Sequence, residues 1–600
     1  MGREKNNVLL MPCLNQSTVD NPFSWQMGLY VLRAHVLQFP DIAARFDFHV
    51  YTWSEKDFRG GVPNPELEIS GLIGRIIELQ PRVVAFSLYV HTILSARWMT
   101  DLIKQLIPNV LVVVGGPEVV GRERFTSEHP MFDVAVEGAG EVPFELIQQK
   151  MAAGDDDLSD IPNLSFRGPN GEFIHNTSAD VDVPPGALAD SFRQDVDKLY
   201  GKIVYVKSRG CRRNCSYCGW AKQPIRNKPT SLMLDEFKSV LATGRVDTLV
   251  FMDSDFLKIE REEPGTFAAL ADLLAQYGNP QLNFCSDLHG LLDPMMLEVV
   301  EKFKVKEIML GIQSLNPAAL KAVNRSWQVS ELPKLEKVDP KVRRLVTPQL
   351  MVPLPGETVT SFYEGIQRLW TLGFLQLQVF PTMVLHGTQL KTDAARLGVR
   401  YLTMPPYLAF ETQTMSALET TKATQLGIVL SKLLWKTGSL VDGRDRLLQL
   451  WERHPNLVTD VREVLDAGNN FERTLAHFLP EKDRGTVSAA SVERPSLTRT
   501  LFPPMKQIRR VLLHHGMMWL GEDIGSTRLA VAITGDAGHC ILCLFPATVP
   551  EPYYREANGF RIAYHGELAD LSVLDDLLEL CKGSDSTKDQ KMGFSISDRD

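Results

Sequence analysis

Six hundred residues, 44% of them apolar, hold material for several cores, and at ordinary domain sizes that means three or four domains. A formal charge of -9 gives no basic field, which argues against nucleic acid as a partner. No run nears the roughly eighteen apolar residues of a membrane span, and "MGREKNNVLLMPCLNQ" has too short an apolar run for a signal peptide, so a cytoplasmic protein off the membrane is expected.

From residue 1 to 154, short apolar runs alternate with amphipathic stretches: "NVLLMP", "FDFHVYTW", "RVVAFSLYV", "NVLVVVGGPE" and "FDVAVEGAGE". Buried parallel strands alternating with helices predict a doubly wound, Rossmann-like α/β domain. Its glycines fall at the carboxyl ends of the later strands, where such a sheet binds its ligand. Residues 155–199 are rich in Asp, Pro, Gly and Asn and predict a linker with a β-hairpin turning at "GPNG". Six further strand–helix units, from "KIVYVKSRG" to "LQLQVFPTMVLHGT", predict a partial (β/α)6 barrel of the TIM type over 200–395, with its site at the strand carboxyl ends. Residues 396–600 change to a C-terminal mixed helical and β domain on the substrate side. Helical stretches such as "ATQLGIVLSKLLWKTG" come first, then strand-like "HCILCLFP" and "FRIAYHGE", then a frayed tail.

Only eight cysteines occur in the chain, too sparse for a secreted disulfide framework, and three of them lie within "SRGCRRNCSYCGW". Cys211, Cys215 and Cys218 form CxxxCxxC directly after the first barrel strand. A structural zinc site closes with four ligands, and no fourth Cys or His stands at a matching distance. Three thiolates suit a [4Fe-4S] cluster with one iron left open. Arg209, Arg212 and Arg213 would offset its negative charge, or form a solvated basic loop.

This spacing, with the aromatic Tyr217 before the last cysteine, resembles the radical S-adenosylmethionine (SAM) enzymes. That resemblance implies that SAM chelates the open iron through its methionine amino and carboxylate groups and is cleaved reductively to a 5'-deoxyadenosyl radical. "MLGIQSLNPAALKAVNR" resembles the oxygen-independent coproporphyrinogen oxidases and implies SAM contacts at Gln313 and Arg325. "FMDSDF" places Asp253 and Asp255 where the family meets the methionine amino group, and Ser286 stands where many relatives carry Glu. "QLMVPLPGET" resembles the family's LPG turn, with Gln349 in place of its usual Asp. Strand-end capping is the alternative role for all of these polar residues.

In the first domain, "AFSLYVHT", "VVVGGPEVVG" and "VEGAGEVPFE" resemble the cobalamin-binding domains of cobalamin-dependent radical SAM enzymes. The implied cobalamin contacts are Ser87, Tyr89, His91, Gly115, Gly116, Pro117, Glu118, Glu137, Gly138, Gly140 and Glu141. Paired glycines let backbone approach a bulky nucleotide tail. A nicotinamide site is disfavoured because "LLMPCLNQSTVD" lacks GxGxxG. Methylthiotransferases carry more first-domain cysteines than the single Cys13. The DxHxxG motif that supplies a cobalt-ligating histidine is absent, which leaves His91 to coordinate cobalt, hold a water or shield the lower corrin face. Among weaker signals, Cys540 and Cys543 read as core residues, with an auxiliary cluster that adds His539 and Cys581 as the alternative; Cys285 reads as a small apolar residue near the SAM site, and Tyr407 and Glu411 as substrate-side residues.

The resemblance implies a cobalamin-dependent (class B) radical SAM C-methyltransferase with three cofactors: a [4Fe-4S] cluster, SAM and cobalamin. Its substrate would be an unactivated carbon of a small molecule from secondary metabolism such as antibiotic assembly, free or carrier-protein-bound. An external flavodoxin- or ferredoxin-type donor would supply electrons to a monomeric enzyme. Three alternatives stay open: a non-methylating cyclisation or ring rearrangement with the same cofactors, a radical enzyme whose first domain is only a scaffold, and a cobalamin or redox sensor with a structural cluster.

Overall fold

The computed structural model describes residues 5–14, 27–54, 58–59, 62–63, 69–179, 181, 183, 191–221, 223–439, 443–466 and 478, and five short strands between 517 and 565. The first sheet has seven strands in the order Phe173–His175, Leu164–Arg167, Val134–Val136, Leu111–Gly115, Val83–Ser87, Asn6–Met11, Phe46–Val50. The last five of these run parallel. Alternate residues of one strand enter different cores, as the pleat requires. Val8, Leu10, Val83, Ala85 and Val113 pack with the helices Met27–Val36 and Glu141–Ala153. Leu9, Met11, Val84, Phe86 and Val112 pack with Ile69–Leu79 and Ile93–Leu106. Both faces are covered, so the strands read in sequence as continuous apolar runs.

The hairpin expected within a linker over 155–199 is instead an edge of this sheet, because Leu164 and Phe166 pair antiparallel with Val136 and Val134. Its turn chemistry is local and readable, whereas the partner that satisfies its outer backbone groups lies about thirty residues away.

The second sheet has six strands in sequential order: Gly201–Tyr205, Val246–Phe251, Gln281–Ser286, Val305–Gln313, Val346–Val352 and Gln378–Pro381. All are parallel, so it is a partial barrel with every strand end on one side. Helix Ala417–Ser439 closes on the last strand. Ser431 accepts from the Val379 N–H at 2.9 Å, and a Cβ at Gly427 would lie 2.5 Å from a Val379 methyl. Helix Gly443–Arg453 is tied to the barrel by the Trp451 indole, which donates to the Trp370 carbonyl at 2.7 Å.

The two α/β units meet through loops at their strand ends. Arg122 pairs with Glu118 at 2.9 Å, and Glu118 also accepts from the Tyr407 hydroxyl, with Glu118 and Tyr407 each 3% exposed. Beside this network Gly121 meets Gly387 so closely that a Cβ on Gly121 would lie 2.5 Å from the Gly387 Cα. Among the described residues no helix is long and apolar enough to cross a membrane.

Candidate active site at the facing strand ends

A cavity of about 210 Å³ opens at the carboxyl ends of the first-domain strands. Ser87, Gly115, Gly116, Gly138, Gly140 and Glu141 line it, over walls of Ala85, Val113, Val136, Leu29 and Phe144. Gly116 has φ +99, and a Cβ there would sit 2.8 Å from the Leu88 carbonyl oxygen. No L-residue with a side chain fits that turn without moving backbone. Apolar walls with a backbone rim of glycines fit a flat aromatic group followed by a polar chain, as in the nucleotide tail of cobalamin.

Other first-domain residues lie elsewhere. Tyr89 and His91 follow the strand Val83–Ser87, with ring centroids 5.6 Å apart. The His91 ring is surface-exposed, yet the protein crowding it lowers its pKa and favours the neutral imidazole. Glu118, taken from sequence as a cobalamin contact, is committed to Arg122 and Tyr407 in the domain interface. Glu137 accepts from the Gly121 N–H at 2.7 Å and supports the same interface loop. Neither carboxylate lines the cavity, and Pro117 only continues the turn after Gly116.

In the barrel, the three cysteines sit on a two-stranded hairpin, Ser208–Cys211 with Gln223–Asn227, and on the turn that follows its first strand. Cys215 is buried, and Cys211 and Cys218 are partly exposed. Burial raises the Cys218 pKa, and the neighbouring Cys215 and Cys211 add to that against a 3.4 Å hydrogen bond from the Trp220 N–H. Among the described residues no three Cys, His, Asp or Glu side chains converge on a single-ion site. A cluster needs wider spacing than a single ion, because each thiolate binds a different iron. Metal binding would supply the deprotonation that burial resists.

Arg325, 5% exposed, is the cationic partner of this loop. It donates to Cys215 Sγ and to the Tyr217 hydroxyl, each at 3.2 Å, and to the Gly311 carbonyl at 2.7 Å. Sequence resemblance implies a SAM contact for Arg325, and in this fold its guanidinium also braces the cysteine loop. Tyr217 is inserted among Val384, Leu390, Ala319 and Leu354, and burial keeps its phenol protonated. Gln313 sits at the end of its strand at φ +60 with its side-chain oxygen buried and unpartnered, as a ligand-binding amide would be.

The two aspartates of "FMDSDF" separate in role. Asp253, 1% exposed, accepts from the Ser208 and Lys207 N–H groups and so ties the cysteine hairpin to the next strand; burial pushes its pKa to about 7. In this fold it anchors the strand end. Asp255 is pushed to about 6 by burial and by Asp287, and pairs with Arg261 at 3.2 Å. Ser286 Oγ lies 3.5 Å from Asp255. Asp287, absent from the sequence-derived set, caps the helix Leu288–Leu291 and binds Arg213 at 2.7 Å. Its signal was an Asp between a strand and a short helix, in the slot after Ser286. The Arg213 guanidinium stacks on Trp327 at 3.8 Å and Arg325 lies over the same ring at 5.0 Å, joining the hairpin to the segment after Val305–Gln313.

Cys285 is 3.9 Å from the Met252 sulfur, and burial pushes its thiol up to about 12, so it is an inert wall residue. Tyr407 belongs to the domain interface and Glu411 pairs with Arg400 at 2.8 Å, so the structure gives neither a free substrate-side group. His539, Cys540 and Cys581, and the side chain of Cys543, lie outside the described residues.

A glycine-rimmed Rossmann-like sheet abuts a partial barrel with a three-cysteine hairpin, the arrangement of a cobalamin site facing an iron-sulfur site. Comparison with known proteins agrees: residues 59–148 match the B12 binding domain model and residues 205–368 the radical SAM superfamily model. The chain thus carries a B12-binding region followed by a radical SAM region, a pairing that goes with a [4Fe-4S] cluster, SAM and cobalamin. It is similar to the cobalamin-dependent radical SAM methyltransferase TokK of Streptomyces tokunonensis, 26% identical over 57% of this chain and 53% of that protein. It is also similar to the 2-(S-pantetheinyl)-carbapenam-3-carboxylate methyltransferase of Streptantibioticus cattleyicolor, 24% identical over 64% of this chain and 56% of that protein. The chain thus spans about half the length of the curated relatives it matches. The fold resembles that of OxsB, a cobalamin-dependent SAM radical enzyme solved with aqua-cobalamin bound: TM-score 0.54, 14% identity, 81% of this chain and 75% of that one.

Proposed function

We propose that the protein is a C-methyltransferase that places a methyl group on an unactivated carbon of a small molecule from secondary metabolism, free or carrier-bound. The observation that carries this reading is the contact between the two half-sites: Arg209, on the strand that ends in Cys211, lines the first-domain cavity and pairs with Glu141 there. A methyl carrier held by one domain and a radical source held by the other would therefore share one chamber. The names of the TokK and carbapenam relatives, both methyltransferases, support the same reading.

When bound, cobalamin would supply a transferable methyl group and the cluster with SAM a hydrogen-abstracting radical. The chain's residues bind and orient. Cys211, Cys215 and Cys218 would hold the cluster, and Arg325 balances the charge at Cys215. The Asp255 and Asp287 carboxylates form an anionic corner suited to an ammonium group, with Ser286 beside it. Gln313 offers an unpaired amide oxygen. Ser87, Gly115, Gly116, Gly138 and Gly140 would take the cobalamin tail, and the packing around Tyr217 keeps water from one side of the cysteine loop.

The test is anaerobic reconstitution with iron, sulfide and hydroxocobalamin. Corrin absorbance should stay with the protein through gel filtration. Adding reductant and SAM should yield both 5'-deoxyadenosine and S-adenosylhomocysteine. Replacing all three cysteines by alanine should abolish the 5'-deoxyadenosine. Formation of 5'-deoxyadenosine without any S-adenosylhomocysteine would rule out methyl transfer.

A further inference from the structure

We propose that Arg209 couples the filling of the first-domain cavity to the geometry of the cysteine hairpin, so that each cofactor site reports on the other. The idea rests on the reading that this cavity takes the nucleotide tail of cobalamin. Among the residues that line the cavity, Arg209 alone comes from the barrel. Its guanidinium pairs with Glu141, the 4%-exposed first residue of helix Glu141–Ala153, while the Arg209 side chain remains 45% exposed. It also lines a neighbouring cavity of about 260 Å³ with Met27, Gly28, Lys207, Arg226 and Trp220.

Two features make this residue a transmitter and not only a wall. First, Arg209 stands opposite Arg226 in the hairpin register, a like-charge pair that a nearby anion relieves. Glu141 is that anion here, and the phosphodiester of a nucleotide tail would compete for the same guanidinium. Second, the strand is held upstream, where Asp253 accepts from the N–H groups of Lys207 and Ser208. Downstream lies Gly210, at φ +88 where the register breaks, and then Cys211. With one end pinned and a glycine bulge at the other, a displacement of Arg209 passes toward Cys211.

Coupling of this kind is reciprocal, so cluster assembly must change cobalamin affinity by the factor that cobalamin changes cluster assembly. The experiment titrates cobalamin by absorbance into protein with and without the reconstituted cluster. In the native chain the two dissociation constants should differ by about fivefold or more, and the electron paramagnetic resonance signal of the reduced cluster should shift when cobalamin is added. In Arg209→Gln cobalamin should bind more weakly overall, the ratio of the two dissociation constants should fall to near one and the spectral shift should vanish. Glu141→Gln should reduce the coupling from the other side. Cobinamide, which lacks the nucleotide tail, should bind the native chain without regard to the cluster. A ratio near one in the native chain, or an unchanged ratio in Arg209→Gln, overturns the coupling alone. Failure to bind cobalamin at all overturns both the coupling and the proposed function.

Discussion

At the scale of single residues, the site is built on buried charges whose partners define their work. Asp255 has a folded pKa of about 6 against an ordinary value of 3.8, because burial and then Asp287 disfavour its ionised form. Its contribution favours folding below about pH 4 and is lost as pH rises through about 6. Asp255→Asn should therefore raise the melting temperature at pH 8, by the equivalent of about 1–3 kcal/mol, and have little effect at pH 4.5; equal effects at both values would contradict the assignment. Arg325 is the opposite case. Its cation is buried but meets Cys215, Tyr217, Gly311 and Gln328 together. Arg325→Ala leaves those acceptors unpaired and should cost about 2–4 kcal/mol, with iron per chain after reconstitution falling well below that of the native protein. Arg325→Lys keeps the charge without the planar fork, and its iron content should lie between the two.

At the scale of elements, the strand-end turns decide ligand approach. Gly116→Ala forces a Cβ toward the Leu88 carbonyl at a positive φ. It should destabilise the first domain by about 1–3 kcal/mol and weaken cobalamin binding, read by absorbance titration. Gly138→Ala supplies the contrast, since its φ is positive but nothing lies within 4 Å of the added carbon, and it should cost less. These elements also show what a sequence can disclose. The parallel strands were legible because both faces are buried, which writes unbroken apolar runs such as "VLVVV" and "VVAF". The cysteine loop was legible because its spacing is itself the chemistry. Long-range pairings were not legible: the Leu164–Arg167 strand finding Val136, Asp253 turning back to the Ser208 backbone, and Asp287 taking Arg213 are all decided by tertiary neighbours.

At the scale of the whole molecule, the interface between sheet and barrel carries two neutral imidazoles. Burial and then Arg122 lower His386 and His129 to about 4 each, against an ordinary value of 6.5. A depressed histidine is uncharged in the fold but takes a proton on unfolding, so stability present above about pH 6.5 is lost as pH falls toward 4. Relative to the intrinsic amide exchange rate at each pH, the protection of the 117–129 and 384–411 segments should fall between pH 7 and pH 5 more than that of the core strand Val83–Ser87. His386→Gln should flatten that dependence. An interface insensitive to pH over this range would contradict the burial of these rings.

The meeting of Gly121 with Gly387 sets a rule for recombination between relatives. Here the two units dovetail where neither brings a side chain, so their lineages are bound by a shared vacancy and not by a matched pair of groups. A chimera that imports a foreign cobalamin-binding unit bearing alanine at this joint will wedge the halves apart, whatever care is taken at its cofactor contacts. Grafts that keep both positions bare should assemble.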